Sequence, residues 1–342
     1  MERTAPSTQR PEPYYRDSLL ELHHGHAADV AKTLPPRSVQ TIVTSPPYFG
    51  LRDYGEDGQI GAEQSVEEYV AALVAVFAAL RDVLADDGTL WLNLGDSYAG
   101  GGYGNHDING AKWKADAGLD RRADRQQKLK KSLATEGITP KNLIGIPWRV
   151  AFALQADGWI LRSEIIWAKK NVMPESVTDR PTKAHEHIFL LAKNAKYYYD
   201  AKAIREEAAP ESAARYAAGY KTYAKGQMEG SPVDARGTKS IDADKLKHLE
   251  GRNKRDVWHV ATTPFPGAHF ATYPPDLIRP CILAGSRVGD TVLDPFSGSG
   301  TTGQVALQHG RKYVGIDISR EYLDLSLRAR FQEAPLDFGG VA

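Results

Sequence analysis

Cysteine is almost missing from the 342-residue chain, since Cys281 is the only one. A single cysteine excludes an intramolecular disulfide and a zinc site built from several cysteines, and we expect no metal site. No apolar run approaches the roughly 20 residues that cross a bilayer, and Met1–Pro13 lacks the apolar stretch of a secretory signal. The sequence therefore predicts a cytoplasmic protein with no membrane partner.

The chain has no excess of either charge, because 43 basic residues balance 43 acidic ones. The charges are unevenly spread, however, and binding responds to the local potential. Basic residues outnumber acidic ones by about two to one over Lys112–Lys141, and Lys221–Arg255 is a second stretch containing Lys and Arg. On charge alone, nucleic-acid contact and a solvated loop or helix face are equally good interpretations.

Strands and helices alternate in the first part of the chain. Val39–Thr44 is rich in β-branched residues and predicts a buried strand, which ends at Pro46 and Pro47 because proline cannot donate to a ladder. Apolar residues at helical spacing predict a helix over Ser65–Leu84, and Thr89–Leu94 predicts the next strand. An earlier strand and helix are predicted at Leu19–His23 and Ala27–Thr33.

The same alternation returns near the C-terminus. Thr291–Asp294 predicts a strand, Pro295–Gly300 a glycine-containing loop and Thr301–Gln308 a helix. A further strand over Lys312–Asp317 and a helix over Arg320–Phe331 follow. Strands that alternate with helices imply parallel pairing, so we expect an α/β protein with a doubly wound sheet.

The middle of the chain mixes strand-like and polar segments. Trp159–Lys169 and His187–Lys193 have strand composition and complete the predicted sheet as a hairpin. Gly100–Glu136 and Glu206–Arg255 are polar and weakly periodic, so we interpret them as insertions that carry function.

The loop from Asp294 to Thr302 joins a strand to a helix, where glycines let a ligand approach main-chain N–H groups. A P-loop is excluded because no Gly-Lys-Ser/Thr follows. Gly298, Gly300 and Gly303 satisfy the dinucleotide-binding spacing, so that fold and a plain tight turn are the alternatives. Asp317 ends the next strand, where a carboxylate can accept hydrogen bonds from a ribose diol.

The segment Ser45-Pro46-Pro47-Tyr48 ends the earlier strand. An amino group on a base is a poor nucleophile because its lone pair is delocalised into the ring. Acceptors such as the Ser45 hydroxyl and the Pro46 carbonyl favour a pyramidal nitrogen, and Tyr48 offers a face on which a base can stack, worth about 1–3 kcal/mol. The alternative is a Pro-Pro turn with a surface tyrosine.

Together, Ser-Pro-Pro-Tyr and Asp-Pro-Phe-Ser-Gly-Ser-Gly-Thr-Thr resemble the amino-methyltransferases of restriction–modification systems. The order of the two segments is similar to that of the β-class DNA amino-methyltransferases. His269–Pro274 and Trp167–Asn171 match further segments of that family. The resemblance implies a Rossmann-like, doubly wound, mostly parallel sheet with an antiparallel hairpin at one edge, plus inserted target-recognition segments. It also implies S-adenosyl-L-methionine as cofactor.

The resemblance assigns site residues by motif. The catalytic residues are Ser45, Pro46, Pro47 and Tyr48. The cofactor-binding residues are Asp294, Pro295, Phe296, Gly298, Ser299, Gly300, Thr301, Asp317, Phe270 and Thr272. The basic insertion adds DNA-binding candidates: Lys112, Lys114, Arg121, Arg122, Arg125, Lys128, Lys130 and Lys131.

The predicted organisation is a catalytic domain interrupted by two insertions. Residues 1–98 carry the catalytic loop, 99–145 are a basic insertion for DNA contact, 146–200 hold the hairpin, 201–256 are a polar insertion for target recognition, and 257–342 carry the cofactor-binding loop.

Two positions depart from the family pattern. Many relatives have an acidic residue where this chain has His26, and Asp29 is a candidate substitute for a contact near the adenosyl group. Relatives often carry aspartate where Gln40 stands, which we interpret as a structural variation.

The target base follows from the first catalytic residue. In the family, serine there usually accompanies cytosine N4 and aspartate adenine N6, so we expect a cytosine-N4 methyltransferase, with adenine N6 as the alternative. Cytosine C5 methylation would need a cysteine nucleophile, but Cys281 lies in the apolar stretch Leu277–Leu283, which is typical of buried packing. His185, Glu186 and His187 receive no role, and Asp96 is a weaker candidate for the site.

Other functions stay open on the sequence alone. One is a DNA-binding protein that keeps the scaffold without turnover; another is methylation of RNA or of a protein amide. The basic insertions favour double-stranded DNA as partner and a nucleoid-associated location. A cognate restriction endonuclease acting on the same site is a candidate partner, and both a monomer and a homodimer are compatible with the sequence.

Overall fold

The computed structural model describes residues 12–50, 56, 58–99, 133–207, 251–263 and 273–331. Its described strands are β1 (Tyr15–Arg16), β2 (Leu20–His24), β3 (Val39–Thr44), β4 (Leu84–Leu94), β5 (Ile160–Lys169), β6 (His185–Ala192), β7 (Val257–Val260), β8 (Thr291–Asp294) and β9 (Lys312–Asp317). The helices are α1 (Ala27–Ala31), α2 (Val66–Val83), α3 (Ile146–Ala156), α4 (Pro275–Gly285), α5 (Thr301–Gln308) and α6 (Arg320–Ser326), and a π-helical turn covers Leu327–Phe331.

The nine strands form one mixed sheet in the order β1-β2-β9-β8-β3-β4-β6-β5-β7. Strands β2, β9, β8, β3 and β4 pair in parallel, whereas β6 runs antiparallel to both β4 and β5. The predicted α/β sheet with an antiparallel hairpin is therefore confirmed. The short strand β7, which the sequence did not predict, pairs in parallel with β5 beyond the hairpin.

Strand β4 is longer than its predicted range, Thr89–Leu94. It begins at Leu84, directly after α2, and its register against β3 shifts between Val39 and Thr41. Leu84 pairs with Val39 and Thr89 with Thr41, so the residues between them form an irregularity that includes Gly88. Prediction placed the strand after that glycine because an isolated glycine weakens a strand signal.

Helix α2 supplies much of the core on one side of the sheet. Ser65 caps its N-terminus by accepting a hydrogen bond from the Glu68 N–H at 3.1 Å. Leu73, Phe77 and Leu80, which share one face, are fully buried, and each such side chain contributes about 2 kcal/mol through burial. Helix α2 packs against α1 and α3.

The C-terminal segment is arranged largely as predicted, with β8, α5 and β9 at the predicted bounds. The predicted helix Arg320–Phe331 is instead α-helical to Ser326 and then π-helical. The π-helical turn carries the Phe331 ring to within 6.0 Å of the Tyr313 ring, centroid to centroid. Gly300 has φ +78°, and a Cβ there would lie 2.8 Å from the Phe331 ring, so both its conformation and its contacts require glycine.

Residues 200–255 form a second compact unit. In its described parts, Glu206 and Arg252 form an antiparallel bridge, and the Glu206 carboxylate pairs with Arg252 at 3.1 Å and Arg255 at 3.0 Å. The bounds predicted for the insertions stay a prediction. The eight basic residues of the candidate DNA contact lie outside the described residues.

Cys281 lies buried in α4, where its thiol donates to the Leu277 carbonyl at 3.8 Å. Among the described residues, no group of three or more His, Cys, Asp or Glu side chains could hold a metal ion. In the same part of the chain, no helix has the length and apolar character needed to span a membrane.

Candidate active site

The Ser45–Tyr48 segment leaves β3 at the carboxyl edge of the sheet and is held from two sides. The Tyr69 hydroxyl, on α2, donates to the Pro47 carbonyl at 2.9 Å. The Tyr48 ring packs against Gly95 at the end of β4, where an added Cβ would lie 2.5 Å from the ring. Because the two prolines also restrict the backbone, the loop presents Ser45 and Tyr48 in one conformation.

The Ser45 hydroxyl belongs to a compact hydrogen-bond network. Asn93, near the end of β4, donates from Nδ2 to Ser45 Oγ at 3.3 Å and to Tyr48 Oη at 3.0 Å. Ser45 Oγ in turn donates to Tyr48 Oη at 3.4 Å. The two polar side chains predicted to be catalytic are therefore adjacent, and Asn93 links them.

Glu186, which the sequence left without a role, lies in the same network. Its carboxylate accepts from the Tyr48 hydroxyl at 2.6 Å, from Asn93 Nδ2 at 2.9 Å and from Lys169 Nζ at 2.5 Å. Burial by itself would raise the pKa of Glu186, but the Lys169 charge and the three hydrogen bonds outweigh it and lower that pKa. Burial raises the pKa of Tyr48 well above its ordinary value. Glu186 is therefore ionised and Tyr48 neutral near pH 7.

The glycine loop after β8 faces a carboxylate. Asp317, at the end of β9, accepts from the Gly298 N–H at 2.7 Å and from the Ser319 N–H at 2.9 Å. Burial raises its pKa to about 6. Among the described residues, a Cβ at Gly298 would have no neighbour closer than the Phe296 carbonyl oxygen at 3.9 Å, so none of them packs tightly against the loop at this position. A carboxylate at the end of a parallel strand suits a ligand that carries hydroxyls.

Asp294 connects the two loops. One carboxylate oxygen accepts from Thr44 Oγ1 at 2.6 Å and the Phe296 N–H at 3.0 Å; the other accepts from Thr302 Oγ1 at 2.6 Å and the Tyr273 hydroxyl at 3.0 Å. Thr44 immediately precedes Ser45, so the catalytic and glycine loops are direct neighbours. With four protein donors, the Asp294 carboxylate contributes by shaping the glycine loop.

The remaining predicted positions are distributed as follows. Pro295 and Phe296 lie in the glycine loop, and Ser299 and Thr301 are buried there with their hydroxyls 3.3 Å apart. Phe270 and Thr272 lie outside the described residues.

The two aspartates considered as further candidates, Asp96 and Asp29, make the following contacts within the protein. The Asp96 carboxylate accepts from the main-chain N–H groups of Ile146 at 3.1 Å and Gly145 at 3.0 Å, so it caps α3. Asp29 is exposed and pairs with Lys32 at 3.1 Å. Gln40 donates to Asp87 at 3.1 Å, in keeping with a structural role.

A Rossmann-like sheet that brings an acceptor-rich proline loop beside a glycine loop with an acidic residue on the next strand defines an S-adenosylmethionine-dependent methyltransferase. Residues 39–328 match the family model described as DNA methylase, which comprises N6 and N4 methyltransferases. The chain belongs to this family.

Close sequence relatives agree with the family. The chain is 46% identical over 321 residues to the type II methyltransferase M.Cfr9I of Citrobacter freundii, covering 92% of this chain and 91% of the relative. It is 43% identical over 302 residues to the type II methyltransferase M.SmaI of Serratia marcescens, covering 88% and 87%.

Solved structures share the fold at low sequence identity. The PvuII DNA methyltransferase (cytosine-N4-specific) superposes with a TM-score of 0.60 at 16% identity, over 97% of this chain and 91% of that one. TTHA0409 of Thermus thermophilus, a putative DNA modification methylase solved in complex with S-adenosyl-L-methionine, gives 0.52 at 20% identity, over 92% and 95%.

The chain is therefore a type II DNA methyltransferase of restriction–modification type, and S-adenosylmethionine is its cofactor. Both conclusions confirm what the two loops predicted.

Proposed function

We propose that the enzyme methylates cytosine N4 in duplex DNA, on a base rotated out of the helix. The observation that carries the proposal is the place of Ser45: it heads the catalytic loop, and its neighbour Thr44 is bonded to Asp294 of the glycine loop at 2.6 Å. In the family that this chain resembles, serine at this position usually accompanies cytosine N4. The structure whose name specifies cytosine N4 shares the fold.

The glycine loop and Asp317 hold the cofactor in this proposal. The Asp317 carboxylate would accept hydrogen bonds from the ribose hydroxyls of the cofactor, and Phe296 and Gly298 would border its adenosyl group. S-adenosylmethionine supplies an electrophilic methyl group on a sulfonium sulfur.

The catalytic loop prepares the amine. Ser45 Oγ and the Pro46 carbonyl accept the two N–H bonds of the amino group, so the nitrogen becomes pyramidal and its lone pair points at the methyl carbon. The Tyr48 face stacks on the rotated base, which offsets part of the cost of unstacking. Bound S-adenosylmethionine would supply the methyl group, with the S–C bonding pair left on the sulfur of the product, and the proton of the methylated nitrogen would pass to water, directly or relayed through the Ser45 hydroxyl.

The experiment is identification of the product nucleoside. Unmodified amplified genomic DNA, which contains every short site, is incubated with the protein and S-adenosylmethionine, digested to nucleosides and analysed by mass spectrometry. We expect N4-methyl-deoxycytidine as the product. N6-methyl-deoxyadenosine would show the adenine assignment to be right instead. Binding of cofactor and DNA with no methylated nucleoside would identify a silent scaffold, and denatured DNA methylated as fast as duplex would refute the duplex assignment.

A further inference from the structure

A largely buried carboxylate lies directly beneath the catalytic loop. Glu186 is on β6, opposite Trp167 of β5 in the antiparallel hairpin, and its side chain is 12% exposed. Its two oxygens accept from Lys169 on β5, Tyr48 on the catalytic loop and Asn93 on β4, at 2.5, 2.6 and 2.9 Å. Three separate segments thus converge on one acidic group that does not belong to either sequence motif.

An ionised carboxylate can only accept hydrogen bonds, which sets the direction of the bonds around it. Lys169 holds Glu186 in the ionised form. The Tyr48 proton must therefore point at Glu186, and the Asn93 amide must turn Nδ2, not Oδ1, towards it. Asn93 Oδ1 is buried with no hydrogen-bond partner among the described residues, so an interaction at Nδ2 has to hold the amide in this orientation.

These directions extend to Ser45. Because the Tyr48 proton is directed at Glu186, Tyr48 Oη faces Ser45 as an acceptor, and the Ser45 proton points towards it. Asn93 Nδ2 has two N–H bonds for three acceptors: one is directed at Glu186 at 2.9 Å, and the other is shared between Tyr48 Oη at 3.0 Å and Ser45 Oγ at 3.3 Å, so it takes no more than one lone pair of Ser45 Oγ. A hydroxyl has one proton and two lone pairs, so one lone pair of Ser45 stays available for an N–H bond of the target amine.

We propose that Glu186 is a positioning residue that orients the hydrogen bonds of Tyr48 and Asn93, so that Ser45 faces the target amine as an acceptor. The proposal rests on the role given to Ser45 in the proposed function. Glu186 does not touch the substrate in this scheme and acts through its two neighbours.

Glu186→Gln is the informative change, since it keeps size and shape but adds a donor. The carboxamide can donate to Tyr48 Oη, which frees the Tyr48 proton to turn towards Ser45. Both lone pairs of Ser45 are then occupied, and its own proton meets the N–H of the amine. We expect the methyl-transfer rate at saturating substrates to fall about 10- to 100-fold, with the Kd of the cofactor and the KM of DNA within about 2-fold of wild type.

A double-mutant cycle with Tyr48→Phe separates positioning from a general structural effect. Tyr48→Phe removes the hydroxyl through which Glu186 mainly acts on Ser45. In that background, Glu186→Gln should therefore lower the methyl-transfer rate by less than about 3-fold. Equal rate losses in both backgrounds, or a wild-type rate in Glu186→Gln, would overturn the proposal. Glu164→Gln is the matched control: this glutamate is on the same hairpin, pairs with His187 at 2.6 Å and has no link to Ser45, so its rate should equal wild type.

Three further variants keep the outcome interpretable. If Glu186→Gln does not fold, Glu186→Asp and Glu186→Asn make the same comparison of carboxylate and carboxamide in side chains that are one methylene shorter. Equal methyl-transfer rates for these two variants would contradict the proposal. Ser45→Ala tests the underlying role. A wild-type rate in Ser45→Ala would refute the role proposed for that hydroxyl. A slow Ser45→Ala together with a wild-type rate in Glu186→Gln would refute only the inference about Glu186.

Discussion

Two buried aspartates at the carboxyl edge of the sheet differ in what surrounds them. Asp294 is saturated by protein donors from Thr44, Phe296, Tyr273 and Thr302, so it serves the shape of the glycine loop. Among the described residues, two main-chain N–H groups donate to Asp317. Burial raises the pKa of both carboxyls, and for Asp317 the pKa reaches about 6, close to the working pH of an enzyme.

The pKa of Asp317 predicts a pH-dependent cofactor affinity. A ribose diol donates to a carboxylate and binds a carboxylic acid less well. As the pH falls through about 6, Asp317 takes up a proton, so the affinity should be highest above that pH and decrease below it. Calorimetric Kd values for S-adenosylmethionine from about pH 5 to about pH 8 measure this.

Asp317→Asn is the control for the pH effect. It cannot ionise, so it should bind the cofactor weakly at every pH and without the decrease. If the affinities of wild type and Asp317→Asn vary in parallel with pH, another group is responsible.

Individual residues of the candidate site were predictable where they lie within a local sequence motif. Ser45 and Asp317 stand at the ends of strands whose bounds the sequence defines well. The sequence did not predict a role for Glu186, Asn93 or Lys169. Each of them reaches the Ser45–Tyr48 loop through the pairing of β4, β6 and β5, which are far apart in the sequence. A glutamate between two histidines, in a strand whose second half is apolar, was the available signal.

Elements were predictable where they are buried and sharply bounded. Strand β3 ends two residues before a pair of prolines, and β8 and β9 each end at an aspartate. The predicted bounds of all three agree with the structure. Helix α3 has no local cap, since its N-terminal N–H groups are satisfied by Asp96 from the end of β4. Strand β7 has only four residues and depends on pairing with β5. Both depend on distant partners that a local pattern does not contain.

Gly95 follows β4 and packs against the Tyr48 ring of the catalytic loop, so there is no room for a side chain at this position. Gly95→Ala would place a methyl group 2.5 Å from the Tyr48 ring, so the ring must shift and its bond to Glu186 lengthen. We expect about a 10-fold or greater loss of turnover and about 1–3 kcal/mol lower free energy of unfolding, as is usual for overpacking.

Turnover assays and denaturant titration test Gly95→Ala, with cofactor affinity as the internal control. Gly95 contacts the catalytic loop, whereas the cofactor is assigned to the glycine loop, so the Kd of S-adenosylmethionine should stay near wild type. Wild-type turnover in Gly95→Ala would show that the position of the Tyr48 ring does not matter for the reaction.

Across the whole molecule, the sheet gathers chemistry from segments that are remote in sequence. The hydrogen bond between Thr44 and Asp294 joins residues 250 positions apart, and that between Tyr48 and Glu186 spans 138. The doubly wound order makes this possible because β3 lies between β8 and β4 in the sheet. The Ser45–Tyr48 loop and the glycine loop therefore share one edge of the sheet.

The zero net charge of the chain predicts that DNA affinity depends on local clusters rather than on the overall field. If Lys128, Lys130 and Lys131 each neutralise a phosphate, changing all three to alanine removes about three released counterions. The slope of log K against log salt should then flatten by about 2.7. Binding of a long duplex measured at several salt concentrations gives this slope, and turnover on saturating DNA should change little.

Arg328→Ala is the matched control for loss of positive charge. Arg328 is exposed on the π-helical turn and pairs with Asp324 at 3.7 Å. The substitution removes one positive charge from the scaffold and should leave the slope of log K against log salt unaltered. A triple variant whose slope equals that of wild type would mean that the lysines face solvent in the complex. Flattening in Arg328→Ala as well would mean that DNA responds to the total charge, because only a long-range field acts equally on residues in unrelated segments.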